Sequence, residues 1–340
     1  MLAPDAPHVG ALRHGLKVVR SISVSVVVTT YNRASLLNRL LQALSEQTLP
    51  AASFEVVVVI DGSTDESEQI CRKWEDSLPL MKIIKFPENR GQAAAANVGW
   101  RRATGRCIAF TDDDCLPDKD WLSKLCAAVE HCGIAGGAVK SPRRPYFVLC
   151  HNIAQFHAYS PSRRGDPPLL LAGANMGLRR TVLEHLGGFD VSEDYSLAPD
   201  MAFSLAARRA GYTIHFVPEA LVCHAPERPD FYSLISYAAA HARCTVLLRL
   251  RYAAELRTPR MLVSSALLRL TAPFVALRVT VGIFWRDPAL RRSLHTLPAV
   301  YIAKLAWCFG AAAELSERRK KRPAEFWKQG PETGNSHTAD

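Results

Sequence analysis

Cys107-Ile108-Ala109-Phe110-Thr111-Asp112-Asp113-Asp114 is the stretch whose reading decides the fold. Its first four residues are apolar and bounded by polar ones, the pattern of a short strand buried in a sheet core. Three adjacent aspartates follow. Neighbouring carboxylates repel one another, and a cation is what makes three of them tolerable together. Hard oxygen ligands suit magnesium, manganese or calcium. An acidic cluster at the carboxyl end of a core strand sits where open α/β sheets bind ligands. A solvated acidic turn is the alternative for this segment taken alone.

Working outward, two earlier apolar runs also end in polar residues. Val24-Ser25-Val26-Val27-Val28 leads into Thr29-Thr30-Tyr31-Asn32-Arg33, and Val56-Val57-Val58-Val59-Ile60 into Asp61-Gly62-Ser63. Helical segments lie between the strands. Leu36, Leu37, Leu40, Leu41 and Leu44 recur at helical spacing. Ser63 and Glu66 have the spacing of a capping box for the next helix, and Ala93 to Ala103 reads as a third. This alternation predicts an α/β fold with a mostly parallel, Rossmann-like sheet flanked by helices. Right-handed crossovers then bring the three polar strand ends to one edge, as a nucleotide pocket requires.

Taken in order, Thr29-Thr30-Tyr31-Asn32-Arg33, Asp61-Gly62-Ser63-Thr64-Asp65, Asn89-Arg90-Gly91 and Thr111-Asp112-Asp113-Asp114 resemble the motifs of the family 2 glycosyltransferases of GT-A fold, over residues 22–225. The resemblance implies a nucleotide diphosphate sugar donor, a UDP-sugar by default, with Mn2+ or Mg2+ as cofactor. It implies hexosyl transfer with inversion at the anomeric carbon, to a glycan, lipid-linked or small-molecule acceptor. It assigns the donor to Thr29, Tyr31, Asn32, Asp61 and Arg90, and the ribose and metal-diphosphate to Asp112, Asp113 and Asp114. Within that triplet Asp114 is the metal ligand. Asp112 lies on the same side of an extended segment and reaches the ribose or a metal-bound water. Asp113 points the other way, with a structural part to play.

Further along, Ala172-Gly173-Ala174-Asn175-Met176 fits the family's loop for acceptor approach. A pair of acids opening a later helix supplies the family's catalytic base, and Asp200 takes the second place. Pro199 stands where the first acid is usual, and Glu193-Asp194 is a rival pair. A plain helix cap is the ordinary alternative for Asp200. An inverting transfer needs a base for the acceptor proton and charge to stabilise the departing diphosphate. His224, after the apolar run Ala220-Leu221-Val222-Cys223, matches a histidine that some GT-A enzymes supply to the metal; a core filler is the alternative. Two other functions share the fold: a GT-A protein that binds nucleotide sugar without catalysis, and a nucleotidyltransferase of related topology. The second class carries a glycine-rich basic loop after its first strand, where this chain has Thr29 to Arg33. No GxGxxG follows a strand, which argues against a dinucleotide oxidoreductase.

The chain has 340 residues, 48% of them hydrophobic, enough for one large domain with an appendage. Its nine cysteines have no CxxC spacing and read as reduced thiols, so neither a zinc site nor a disulfide framework is expected. No apolar leader precedes the first strand, which predicts a cytoplasmic protein. The net charge is +10, with arginines concentrated in residues 241–292. Beside the apolar segments Met261 to Trp285 and Leu297 to Leu315, they predict peripheral contact with an anionic membrane at the cytoplasmic face. Nucleic acid is not an expected partner, for want of an aromatic platform or motif. The divisions expected are an extension over 1–20, a catalytic domain over 21–228, a helical region over 229–316 and a disordered tail over 317–340.

Overall fold

The computed structural model describes residues 23–227, 230–259 and 264–321. Strands β1 (Val24–Thr30), β2 (Phe54–Asp61), β3 (Met81–Phe86) and β4 (Cys107–Phe110) run parallel in the spatial order β3-β2-β1-β4. Helices α1 (Ala34–Ser45), α2 (Ser67–Lys73) and α3 (Gln92–Arg102) connect them. Both faces of these strands are covered, which is why their sequences are valine-rich throughout. Val26, Val28, Val56 and Val58 pack on one face against Leu37, Leu40, Leu41 and Leu44 of α1. Val27 and Val57 pack on the other against Ala93, Ala96 and Trp100 of α3. The strand period of two and the helix period of 3.6 thus meet along two seams. Each fully buried leucine contributes about 1.5–3 kcal/mol.

The sheet then changes character. Strand β5 (Cys115–Pro117) is followed by α4 (Trp121–Cys132), β6 (Ile134–Lys140), α5 (Tyr146–Phe156), β7 (Met176–Arg179), α6 (Arg180–Leu186), α7 (Pro199–Arg209) and β8 (His215–His224). β7 lies antiparallel to both β4 and β6, while β8 runs parallel to β6 and antiparallel to β5. The result is one mixed sheet of eight strands, ordered β3-β2-β1-β4-β7-β6-β8-β5. Its parallel half brings the ends of β1, β2 and β4 to one edge. All nine cysteines are free thiols, seven of them buried. Trp100 and Trp121 are buried and donate to Asn97 and Asn175, so both serve the core.

Two local expectations are corrected. The sequence places a capping box at Ser63 and Glu66, but α2 begins at Ser67. The Ser63 hydroxyl is taken by the Asn32 amide at 3.0 Å, and Asp65 accepts from the Ser67 amide at 3.1 Å instead. Residues 317–321, expected in the tail, are helical. Helix α10 (Leu297–Lys321) continues through them, because Arg318 pairs with Asp194 and with Glu314, and Glu317 with Arg243 and Lys321. The extension over 1–20 and residues 322–340 of the tail lie outside the described residues.

Helices α8 (Phe231–Arg251), α9 (Ser265–Arg286) and α10 pack together and onto the sheet domain. Asp230 and Ser264 cap the first two by accepting from the amides of Ser233 and Leu267. A Cβ on Gly310 would lie 2.3 Å from the Ala239 carbonyl oxygen, so α10 and α8 touch backbone to backbone. Leu234 and Val300 meet Ile153 of α5, and Cys244 and Leu248 meet Ala202 and Leu205 of α7. The other face of α9 is open: Leu270 and Phe274 are each 75% exposed and Trp285 82%. The segments 265–286 and 288–321 are long and apolar enough to cross a membrane by length and composition.

Gly62 shows how closely the sheet edge is built. Its φ is +71°, and a Cβ there would fall 2.4 Å from the Asn89 backbone nitrogen. A Gly62→Ala variant should therefore lose about 1–3 kcal/mol of stability, read as a lower midpoint in urea unfolding. An unchanged midpoint would mean that the close approach of the 89–91 turn to β2 is not required.

Candidate active site

Three loops meet at the edge where β1, β2 and β4 end. Asn32 adopts φ +52°, a left-handed conformation that asparagine tolerates. Its Oδ1 accepts from the Thr64 amide at 2.8 Å, joining the β1 and β2 loops. Asp61 is buried, and its two carboxylate oxygens accept from the amides of Arg90 at 2.7 Å and Gly91 at 2.9 Å. Each oxygen keeps a second lone pair. The Arg90 guanidinium stacks on Phe86, 5.0 Å from the ring centroid. Tyr31 is 48% exposed beside these loops.

The aspartates run into a turn, closed by the Cys115 amide donating to the Asp112 carbonyl at 3.1 Å, so that Asp113 and Asp114 both approach Arg33. Asp113 is buried and accepts from Thr30 Oγ1 at 2.8 Å and from Arg33 at 3.0 Å. Burial pushes its carboxyl up to about 6, with the Arg33 charge opposing. Asp112 faces a cavity and accepts from Gln92 Nε2 at 2.9 Å. Burial, reinforced by the charges of Asp114, Asp113 and Asp200, holds its carboxyl well above the ordinary carboxylate range. Asp114 lies 3.5 Å from the Arg33 guanidinium. Arg33, absent from the predicted site set, is the protein's own counter-charge to this cluster.

His224 meets Asp114 through sheet pairing. β5 and β8 set Cys115 opposite His224, and the Ala225 amide donates to the Asp114 carbonyl at 2.8 Å. The His224 Nε2 atom then lies 3.3 Å from Asp114 Oδ1. Its Nδ1 is 2.7 Å from Asn152 Oδ1. The Asn152 amide nitrogen donates to the His224 carbonyl at 2.6 Å and to Ser141 Oγ at 3.0 Å, which fixes Oδ1 toward the ring. Nδ1 is therefore the donor, and Nε2 is directed at the carboxylate. That juxtaposition is favourable with a cation there, a proton on Nε2 or a metal ion. Two donors each about 2.1 Å from a divalent ion at a near-right angle stand about 3 Å apart, so these two residues fit one. Asp112, Asp114 and Cys115 also cluster, with ligand atoms within 4.8 Å of one another. Burial and the adjacent aspartates push the Cys115 thiol up, so it stays protonated and a poor ligand for a hard cation.

Asp200 occupies the first turn of α7, after Pro199, whose missing N–H costs nothing there. It accepts from the Gly173 amide at 2.7 Å and the Met201 amide at 2.9 Å. Burial raises its carboxyl despite these bonds, making it a stronger base than an exposed aspartate. A cavity of about 1530 Å³ runs along this edge and is lined by Thr29, Asp112, Gly173 and Asp200. Asp194, from the rival pair, is engaged by Arg318 of α10 and does not line it. The structure thus brings Thr29, Asp112 and Asp200 onto one cavity, and Asp114 onto His224. Tyr31, Asn32, Asp61 and Arg90 stand in the loops alongside, and Asp113 behind. Asn152 and Gln92 were missed, for no local pattern marks either one.

The acidic end of β4 and Asp200 on α7 thus open on one cavity at the edge of an α/β sheet. The chain matches the glycosyl transferase family 2 over residues 25–187 and the glycosyl transferase family group 2 over residues 107–313. It belongs to the family 2 glycosyltransferases and is a transferase of GT-A fold. Glycosyltransferase AglE of Haloferax volcanii is 28% identical over 208 residues, 61% of this chain and 67% of that protein. Validoxylamine A glucosyltransferase of Streptomyces hygroscopicus is 37% identical over 153 residues, 43% of this chain. The match spans only 36% of that relative's length. Among solved structures, a mannosyltransferase from Pyrobaculum calidifontis in complex with GDP-Man and Mn2+ is 25% identical with a TM-score of 0.52. The similarity covers 88% of this chain and 75% of that one. Residues 1–349 of TarS from S. aureus, in complex with UDP-GlcNAc, share the fold with a TM-score of 0.51 at 20% identity, over 88% of this chain and 92% of that one.

The acidic cluster is electrostatically costly without a cation. An Asp112→Asn variant should be more stable than wild type in chelator, by about 0.5–2 kcal/mol, because one of three mutually repelling carboxylates is gone. Thermal unfolding in chelator checks this. A lower melting temperature for the variant would show that Arg33 already balances the cluster.

Proposed function

We propose that this chain is a metal-dependent, inverting glycosyltransferase using a nucleotide diphosphate sugar, with UDP as the default nucleotide. The observation that carries the reading is that Asp112 and Asp200 face one another's cavity from separate elements, the end of β4 and the start of α7. The Pyrobaculum relative, solved with GDP-Man and Mn2+, supports a nucleotide-sugar donor and a divalent ion. In this reading Thr29, Tyr31, Asn32, Asp61 and Arg90 form the nucleoside side of the pocket. Asp112 orients the ribose or a metal-bound water, Asp113 anchors the motif through Thr30 and Arg33, and Asp114 with His224 would hold the ion. A divalent ion there supplies positive charge for the departing diphosphate.

The chain's own residues do the rest. Asp200 accepts the acceptor's proton as its oxygen attacks the anomeric carbon. The Gly173 amide holds one carboxylate oxygen, which fixes the direction of the other. The turn at 173–175 leaves room for the acceptor, since Gly173 carries no side chain on the Asp200 side. We further propose the division into a catalytic domain over 21–228 and a helical region over 229–316. The open apolar face of α9 supports peripheral contact of a cytoplasmic enzyme with an anionic membrane.

The test is single-turnover transfer at saturating nucleotide sugar and Mn2+, with donor binding measured by calorimetry. Asp200→Asn should bind donor normally and transfer roughly a hundredfold or more slowly. Asp194→Asn, which only loosens the Arg318 contact, should transfer near the wild-type rate. The reverse order would move the base to the rival pair, and failure to bind any nucleoside diphosphate would remove the donor reading.

A further inference from the structure

The same cavity continues away from the sheet edge, between α5, α8, α9 and α10. Its deep end is walled by Arg249, Lys304, His157 and His241. Each faces the cavity, and each is otherwise enclosed by protein. Arg249 Nε, His157 Nδ1 and His241 Nδ1 have no hydrogen-bond partner among the described residues. Lys304 donates to the Ala154 carbonyl, and the Arg249 guanidinium lies 5.8 Å from the Trp307 ring centroid. No carboxylate among the described residues forms an ion pair with either cation. Of the four acids on this cavity, Glu255 is held by Arg209 at 2.7 Å, Asp200 by backbone amides and Asp112 by Gln92, while Asp166 forms no ion pair with Arg249 or Lys304.

Enclosed cations without a counter-charge are expensive, and a protein keeps them where a ligand supplies the opposite charge. Burial lowers the pKa of all four. Burial and the Arg249 charge pull Lys304 down to about 8. Burial and the Lys304 charge pull His157 to about 3 and His241 to about 4. Burial alone lowers Arg249, with no acid opposing it. A neutral sugar has no use for such a field, whereas a phosphate matches it in charge and in number of acceptor oxygens. Apolar side chains make up part of this end, beside Thr245, Thr271 and Arg278. Val275 and Val279 of α9 line it together with Trp307. The cavity therefore reaches the helix whose outer face exposes Leu270 and Trp285.

We propose that this deep end binds a phosphate group of the acceptor, between Arg249 and Lys304, with an apolar chain of the acceptor lying along α9 and its nucleophilic hydroxyl reaching back toward Asp200. The proposal rests on the glycosyltransferase reading and names the class of acceptor for it, an amphiphilic phosphate. Free phosphate shares the headgroup chemistry, and the apolar lining is what separates the two.

The full chain should be titrated calorimetrically with decyl phosphate below its micellar concentration, with decanol and with inorganic phosphate. Decyl phosphate should bind at least roughly tenfold more tightly than either of the others. That comparison uses wild-type protein only and depends on no variant. The pair Arg249→Gln and Lys304→Met should weaken decyl phosphate at least roughly tenfold, while Lys304→Arg keeps the charge and most of the affinity. Inorganic phosphate binding as tightly as decyl phosphate would overturn the apolar-chain acceptor and leave a free-anion site. Equal affinity for decanol, or no loss in the double variant, would overturn the phosphate site itself. Nucleoside diphosphate binding with Mn2+, measured in parallel, reports on the donor reading separately, and its failure leaves the decyl phosphate result decisive for this site.

Discussion

The antiparallel pairing of β5 with β8 sets Cys115 opposite His224 and so places the imidazole 3.3 Å from Asp114. Everything proposed for the donor side depends on that pairing. β5 is only three residues long, and it directly follows the acidic triplet. Its register therefore governs which way Asp114 faces. Asn152 on α5 then holds the imidazole by its other nitrogen, and the same amide bonds the His224 carbonyl. A helix, a long strand and a short strand are thus tied together around one pair of ligand-type atoms. Such outer contacts set ring orientation and tautomer in metal sites generally.

Charge placement gives the molecule its polarity. At the sheet edge, carboxylates are gathered and opposed by one arginine, Arg33, which is 43% exposed and able to move. At the other end of the same cavity, cations are gathered, and among the described residues no carboxylate forms an ion pair with Arg249 or Lys304. Neither arrangement is favourable in an empty protein, since enclosed like charges raise one another's energy. In the proposed reading, the cavity takes a cation at one end and an anion at the other. Asp200 stands between them on α7, held by the Gly173 amide. The cost falls on folding stability, and ligand binding offsets it by mass action.

Much of this was legible in the chain itself. The leucines of α1 and the valines of β1 and β2 declare their periods, and all five leucines are buried. Parallel order of the first strands follows from the helices between them. The mixed second half did not follow, because the short strands β5 and β7 carry too few residues to show a period. The cap at Ser67 was hidden by Ser63, whose hydroxyl is claimed by a loop residue far away in sequence. Asn152 had no signal at all, since its partners lie 11 and 72 residues distant. Lys304 was visible as a charge inside an apolar segment. Its neighbour Arg249 was one arginine among many, and only packing of α8 on α10 brings the two to one wall.

The most direct test of the account is a crystal structure grown with Mn2+ and a nucleoside diphosphate, with the metal located by anomalous scattering. The account predicts a peak coordinated by both Asp114 and His224, with Asp112 turned toward the ribose or a bound water. A peak held by Asp112 and Asp113 with His224 still bonded only to protein would contradict it, as would nucleotide bound at this edge with no metal peak.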